Sequence, residues 1–332
     1  MIYIPVTSLD VYHNFGLEYY LMTVKKFTEP VFLLWTTTPT VMLGKYQNAF
    51  DQLNLDAVKA QQLTVVRRYS GGGTIYTDQG GCQFTLITPT TNATIDFSSG
   101  LELITAALNQ IGIAATTDSR NDLVVAGAKV SGSAQYVTPG YKLHHGSLLF
   151  ASDLAVLAAV LQVDPLKLQA KGVQSVRQRT TNLQAQQPTW TATEFRQRLT
   201  AAVLAATHAH TYQLTAADEA QIAVLAAQRF AAPAKIYRQR GAFQYTHKRY
   251  ITGAGLIQVA YSLAEQRVTA LELSGDFFSA LDPAVFARAV IGAKFTRAAL
   301  QPLLAQQLAQ TPIVGLDAAT LTDLIFQDPA AK

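Results

Sequence analysis

Cysteine is almost absent from this chain. Cys82 stands alone among 332 residues, so neither a disulfide framework nor a cysteine metal site can be built. Long apolar runs are missing as well. No stretch approaches 18 uninterrupted hydrophobic residues, and no membrane-spanning helix is expected. The opening MIYIPVTSLDVYHN has no basic stretch followed by an apolar core, so no signal peptide is expected either. Charge is sparse at 14% of residues, and the basic ones form no long run. A net charge of +4 and a pI near 9.0 lean towards small anionic substrates or acidic partner proteins, without pointing to nucleic acid. With 49% hydrophobic residues, the chain can fill the core of a large domain and a smaller one. The expectation from these absences is a cytoplasmic, soluble protein.

The first half mixes short strands with helices. VFLLW (31–35) and TVMLG (40–44) read as strands separated by a TTTP turn. CQFTLIT (82–88) reads as another, with Phe84 and Leu86 on one face. SSGLELITAALNQIG reads as a helix with Ser99 and Glu102 as a capping box, Leu101, Ile104, Leu108 and Ile111 as its apolar stripe, and Gly112 as its end. NDLVVAGAKVSGSAQYV (121–137) predicts a hairpin turning at Ala126–Gly127–Ala128, and YKLHHGSLLF (141–150) a further strand. DPLKLQAKG (164–172) opens with Asp164 as cap and Pro165 in the first helical position. Two later helices open at Thr191 with Glu194 and at Thr215 with Asp218. Residues 235–248 are basic, aromatic and poorly periodic. GLIQVAYSL and VTALELSGDFF then form a hairpin through AEQR, and helices follow from Asp282–Pro283, Thr296 and Asp317. Domains are expected at 1–242 and 243–332, the second a small α+β module.

The stretch VVRRYSGGGTIYTDQG, from Val65 to Gly80, carries the most chemistry. Gly71, Gly72 and Gly73 leave backbone N–H groups open to close approach. Arg67 and Arg68 bring guanidinium forks suited to carboxylate or phosphate. Together they suggest a loop that cradles an anion; a glycine-rich turn with solvated arginines is the plain alternative. Three more clusters follow: RNDLVVAGAKVSGSAQ with Asn121, Asp122, Lys129, Ser131 and Ser133; HHGSLLF with His144 and His145; and KGVQSVRQRTTNL with Lys171, Gly172, Ser175, Arg177, Thr181 and Asn182, in which Arg177 and Arg179 could be a solvated loop pair. Singly, each has an ordinary reading. Lys129 could be an exposed hairpin lysine. Adjacent histidines on a strand point to opposite faces, so they cannot share one metal ion.

In this order and spacing, the clusters resemble the lipoate–protein ligase family, with its RRxSGGGxVYxDxGN, GKKxSGSAQ, HGTLL and KGxxSVRSRVTNL patterns. The resemblance covers nearly the whole chain. It implies an α/β (α+β) fold, in which a biotin-ligase-like catalytic domain of mixed sheets flanked by helices precedes the small C-terminal domain. It implies ATP, Mg²⁺ carried as MgATP, and lipoate. Lipoate is activated to lipoyl-AMP, and the lipoyl group then passes to a lysine of an acceptor lipoyl domain, in a 2-oxoacid dehydrogenase complex or the glycine-cleavage H protein. A monomer is expected, with neither nucleic acid nor membrane as partner. On the resemblance, Lys129 is the catalytic cation. Arg68, Ser70, Gly71, Gly72, Gly73, Ser131 and His145 attend the acyl group, while Ile75, Tyr76, Asp78, Asn121, Asp122, Thr181 and Asn182 attend the nucleotide. No metal-binding side chain is assigned. The chain departs from the pattern at Thr77, where the family often has His, at Gln79, and at Gly81, where it has Asn.

The chemistry asks for such residues. A carboxylate attacking a phosphate brings two anions together, and fixed cations must screen them. The acyl chain needs a narrow apolar tunnel, for which Tyr69, Tyr76 and Leu148 are candidate walls. The rival readings are an ATP-independent acyl transferase working through a Cys82 thioester, a biotin–protein ligase, and a non-catalytic lipoyl-binding paralogue.

Overall fold

A computed structural model of the chain describes residues 1–92, 94–118, 121–162, 164–166, 180–238 and 241–327. Its backbone is an eight-stranded sheet in the order β11 (His210–Thr211), β1 (Ile2–Tyr3), β2 (Val31–Trp35), β6 (Cys82–Pro89), β10 (Tyr141–Leu148), β9 (Ala128–Thr138), β8 (Asp122–Val125) and β7 (Thr116–Asp118). β1 runs parallel to β11 and β2; every later neighbour pair is antiparallel. A smaller sheet sets β3 (Thr40–Leu43) between a parallel β4 (Thr64–Arg67) and an antiparallel β5 (Ile75–Thr77).

Side chains alternate across the large sheet, and the alternation decides what each strand serves. Phe32, Leu34, Cys82, Phe84, Leu86 and Leu148 fall on one face. There they bury against Leu101, Ile104 and Leu108 of the helix Ser98–Gln110 and against Phe195, Leu199 and Val203 of the helix Ala192–Thr207. Val31, Leu33, Trp35, Ile87 and Leu143 fall on the other, packed with Val11, Phe15 and Leu17 of the helix Val11–Tyr20 and with Ile222 of the helix Ala216–Ala226. The capping boxes at Thr191–Glu194 and Thr215–Asp218 form as the sequence predicts. That at Ser99–Glu102 does not. The helix starts two residues earlier, after Phe97, and Asp96 accepts from the backbone N–H and the hydroxyl of Ser98. The β8–β9 hairpin turns at Ala126 and Gly127, both at positive φ (50° and 78°), as a two-residue turn requires.

The C-terminal module is a three-stranded antiparallel sheet of β12 (Tyr245–Ile251), β13 (Gly255–Ala264) and β14 (Arg267–Gly275). The helices Pro283–Arg288, Arg297–Gln310 and Ala318–Ile325 bury Phe286, Leu300, Leu304, Leu321 and Leu324 with it. β12 lies in the segment that the sequence leaves aperiodic. It pairs only with β13 and shows mostly half-exposed residues, so it carries no alternation to read. Among the described residues no helix is long and apolar enough to cross a membrane.

Candidate functional site

The glycine loop leaves β4 and re-enters the small sheet at β5, and the two arginines that precede it are buried under it. Arg67 donates to the carbonyls of Gly44, Gln47 and Ile236. Arg68 donates to those of Met42, Gly71 and Gly73, at 3.1, 2.8 and 2.6 Å. Desolvation lowers both guanidinium pKa values, to about 9 and about 10. These cations therefore spend most of their donors on the chain itself. Arg68 clamps the carbonyls of Gly71 and Gly73; its Nε has no hydrogen-bond partner. Gly44 is needed here, since a Cβ would meet the Gly72 carbonyl oxygen at 1.9 Å.

The loop borders a cavity of about 730 Å³. Phe15, Trp35, Met42, Ile75, Ala134 and Phe278 make its apolar wall. Gln83, Asn121, Asp122, Lys129, His145 and Ser147 supply polar groups. Part of the rim comes from the C-terminal module, through Tyr250, the Gly253–Leu256 turn and Asp276. The module is fastened close by. Gly72 N–H donates to the Phe277 carbonyl at 3.1 Å. Tyr46 stacks on Phe277 at 4.4 Å between centroids, and its hydroxyl donates to the carbonyls of Ser279 and Leu281. Lys45 Nζ donates to the same Leu281 carbonyl, and burial lowers its pKa to about 8.

Lys129 starts β9 just after the hairpin turn. A register shift beside it, between Leu123 and Val124 of β8, separates it from the regular alternation beyond. Its Nζ sits 2.7 Å from Asp122 Oδ1 and 3.0 Å from where a Cβ on Gly132 would stand. The bare glycine therefore gives the ammonium its place over the sheet. Thr181 N–H donates to the Lys129 carbonyl, which ties Thr181 to the start of β9. Ser70 and His145 form a second cluster. Ser70 Oγ meets His145 Nε2 at 2.7 Å, and His145 Nδ1 lies 3.3 Å from the buried carboxylate of Glu18. That carboxylate also accepts from Tyr69 and Thr85, and Thr85 accepts from the Trp35 indole. The network fixes the start of the glycine loop against the cavity's far wall.

The structure brings Arg68, Gly72, Gly73, Ile75, Asn121, Asp122, Lys129 and His145 to one cavity. Ser70 and Gly71 stand just behind it; a Cβ on Gly71 would strike the Phe277 carbonyl at 2.3 Å. Ser131 is turned away. It pairs with Leu148, which packs into the core behind the sheet. Tyr76 packs among Val41, Leu43 and Val160. Asp78 caps Gly80 N–H and Asp153 N–H. Asn182 brackets the backbone of Ser152, and Thr181 pairs with Lys129 through its backbone. None of these five side chains lines the cavity. Nor do Tyr69 and Leu148; the apolar wall is Phe15, Trp35 and Met42 instead. The sequence reading also passed over Glu18, Trp35 and Gln83, each a single residue in an otherwise ordinary helix or strand. The readings at Lys171, Gly172, Ser175, Arg177 and Arg179 lie outside the described residues.

The description "Lipoyl protein ligase A/B catalytic domain" matches residues 10–204, more than half of the chain. The chain belongs to the lipoate–protein ligase family. A second description, "Bacterial lipoate protein ligase C-terminus", matches residues 241–325. A curated Mycoplasma genitalium protein named probable lipoate-protein ligase A is 30% identical over 288 residues, covering 86% of each chain. Among solved structures, the P. falciparum protein LipL1 in complex with lipoate superposes with a TM-score of 0.79 at 20% identity, over 98% of this chain and 99% of that one. A lipoate-protein ligase A bound with ATP gives a TM-score of 0.60 at 21% identity, over 71% and 96%. At those identities the likeness establishes the fold: a mixed α/β ligase body with a small C-terminal domain.

Proposed function

We propose that this chain is an ATP-dependent lipoate–protein ligase, with catalytic residues in 1–242 and an accessory domain in 243–332. The observation that carries the reading is Lys129. It is the cation on the cavity floor whose ammonium is held by one carboxylate rather than by a ring of backbone carbonyls. In the first half-reaction a lipoate carboxylate oxygen attacks the α-phosphorus of ATP, and pyrophosphate leaves with the electron pair. Lys129, released from Asp122 as substrate charge arrives, screens the two anions. In the second, an acceptor lysine amine attacks the acyl carbonyl, the oxyanion forms beside Lys129, and AMP departs. Mg²⁺ enters as part of the MgATP substrate. The Phe15–Trp35–Met42 wall suits an apolar acyl chain, and Arg68 holds the glycine loop in shape beside it.

The ligases of known structure bound to lipoate and to ATP support both substrates, and the mild positive charge suits an acidic lipoyl domain as acceptor. A cytoplasmic monomer completes the reading. The transferase alternative needs an accessible thiolate. Cys82 is wholly buried, faces the core side of β6, and has its thiol pushed up to about 12 by desolvation. ATP–pyrophosphate exchange with lipoate, octanoate and biotin in parallel is the test. Exchange with lipoate or octanoate supports the ligase; acyl transfer without ATP would overturn it.

A further inference from the structure

Thr77 and Gln83 form a pair that the reaction above does not use. Thr77 is 2% exposed and Gln83 4% exposed, and the Thr77 hydroxyl donates to Gln83 Oε1 at 2.8 Å. Gln83 nevertheless lines the cavity. The sheet register shows where. Trp35 pairs with Gln83, Gln83 with Ser147, and Ser147 with Gly132. Directly paired antiparallel residues share a face. These four therefore make one rung across the cavity floor, from the apolar wall at Trp35 to the glycine under the Lys129 ammonium. Neighbouring strands lie about 4.8 Å apart, so two spacings separate Gln83 from Gly132, roughly 9.6 Å.

We propose that Gln83 is a second donor to the acid substrate's carboxylate, opposite Lys129, and that Thr77 is the residue that positions it. The inference rests on the ligase reading and deepens it by naming what recognises the acid end of the substrate. With Oε1 engaged by Thr77, the amide turns its Nε2 hydrogens to the cavity. A carboxylate held between an ammonium and an amide N–H spans at most about 8 Å from nitrogen to nitrogen, less than the roughly 9.6 Å between the two strands, so the amide must lean along the rung towards Lys129 to share it. An amide is suited to this place. It donates without adding a second fixed charge, and so does not hold the acid too tightly to react. It lies between the apolar wall and the cation, where an aliphatic chain gives way to its carboxyl group.

The test uses the full chain with lipoate and MgATP in pyrophosphate exchange. Losing one hydrogen bond to a carboxylate should raise the KM for lipoate about ten- to a hundredfold in Gln83→Met, with the KM for ATP shifted less than about twofold. Thr77→Val should show a smaller shift in the same direction, and Thr77→Ser, which keeps the hydroxyl, should restore the value. Thermal melting and calorimetric titration of lipoate alone accompany each variant, so that a folding defect is recognised as one. An unchanged lipoate KM in a folded Gln83→Met would overturn the inference. So would equal shifts for lipoate and ATP, or Thr77→Ser behaving like Thr77→Val. If wild-type chain binds lipoate calorimetrically yet gives no exchange, the ligase reading falls, and lipoate affinity in the variants still decides the role of Gln83.

Discussion

Over β6, β9 and β10 the two faces of the large sheet do opposite work. His144 and His145 are neighbours on β10, yet they live in different media. His144 faces the core, against Phe84 and Phe97, with its Nε2 unpartnered and its pKa lowered to about 3 by desolvation. His145 faces the cavity and links Ser70 to Glu18. The same division separates Cys82 from Gln83, and Ser131 from Gly132. On the core face a polar atom is tolerated if neutral. On the cavity face Gln83, His145 and Lys129 are each tethered by another polar side chain, which leaves chosen atoms to meet a substrate. Residue type alone does not assign a side; register does.

The sharpest way to break the comparison is to remove the cation from the cavity face. Lys129→Ala should lose lipoyl-AMP formation by about a hundredfold or more, since removing a group that stabilises charge developing in the transition state costs about 3–4 kcal/mol. Its folded stability should hardly move, because the Lys129–Asp122 pair is over a third exposed on the lysine side, and such pairs contribute little. Lys129→Arg should fail as well, because a planar fork does not fit where Nζ sits over Gly132. Adenylate yield and thermal melting of both variants check this; full activity would remove Lys129 from the site.

A lesion on the opposite face should invert that pattern. A Cβ on Gly100 would stand 2.2 Å from His144 Nδ1, and the ring is walled in by Phe84 and Phe97. Gly100→Ala should therefore cost about 1–3 kcal/mol of stability by overpacking, while molecules that remain folded keep their exchange rate. Urea titration with activity per folded molecule separates the two. The sequence showed this helix and its stripe but not this contact. It showed the hairpin at Gly127 and the caps at Thr191 and Thr215, because local chemistry sets those. It placed Lys129, Asp122 and His145 because whole motifs carry them. It could not tell that Arg68 spends its donors on Met42, Gly71 and Gly73, or that Ser131 faces Leu148. Those facts depend on how the loop folds back on itself and on strand register, and Glu18, Trp35 and Gln83 stayed invisible because they act beside residues of other strands.

His144 also makes the core face sensitive to acid. Its folded pKa of about 3 lies below the ordinary 6.5, so between those values the unfolded chain binds the proton and the native one does not. Stability from this group is complete above about 6.5 and drains away as pH falls towards about 3. Melting temperature should decline across that window, and His144→Gln should flatten part of the slope. A slope identical to that of the wild type would mean that the ring does not remain neutral in the fold.

The smallest effect on rate is expected at Cys82. With the thiol pushed up to about 12, only about one molecule in 10⁵ carries a thiolate at pH 7, and Cys82 does not line the cavity. Its neighbour Gln83 points the other way along β6, so the residue beside the cavity is the amide, not the nucleophile. Cys82→Ser should leave ATP-dependent lipoyl transfer within about twofold of wild type, while a hydroxyl in the Phe84–Leu86–Leu148 core costs about 1–3 kcal/mol of stability. Transfer assays with and without ATP, together with intact-mass spectrometry, make the measurement. An acyl adduct on Cys82, with transfer lost in the serine variant, would show that the sulfur reaches substrate. The division between the two faces would then have failed at the residue where it is drawn most sharply.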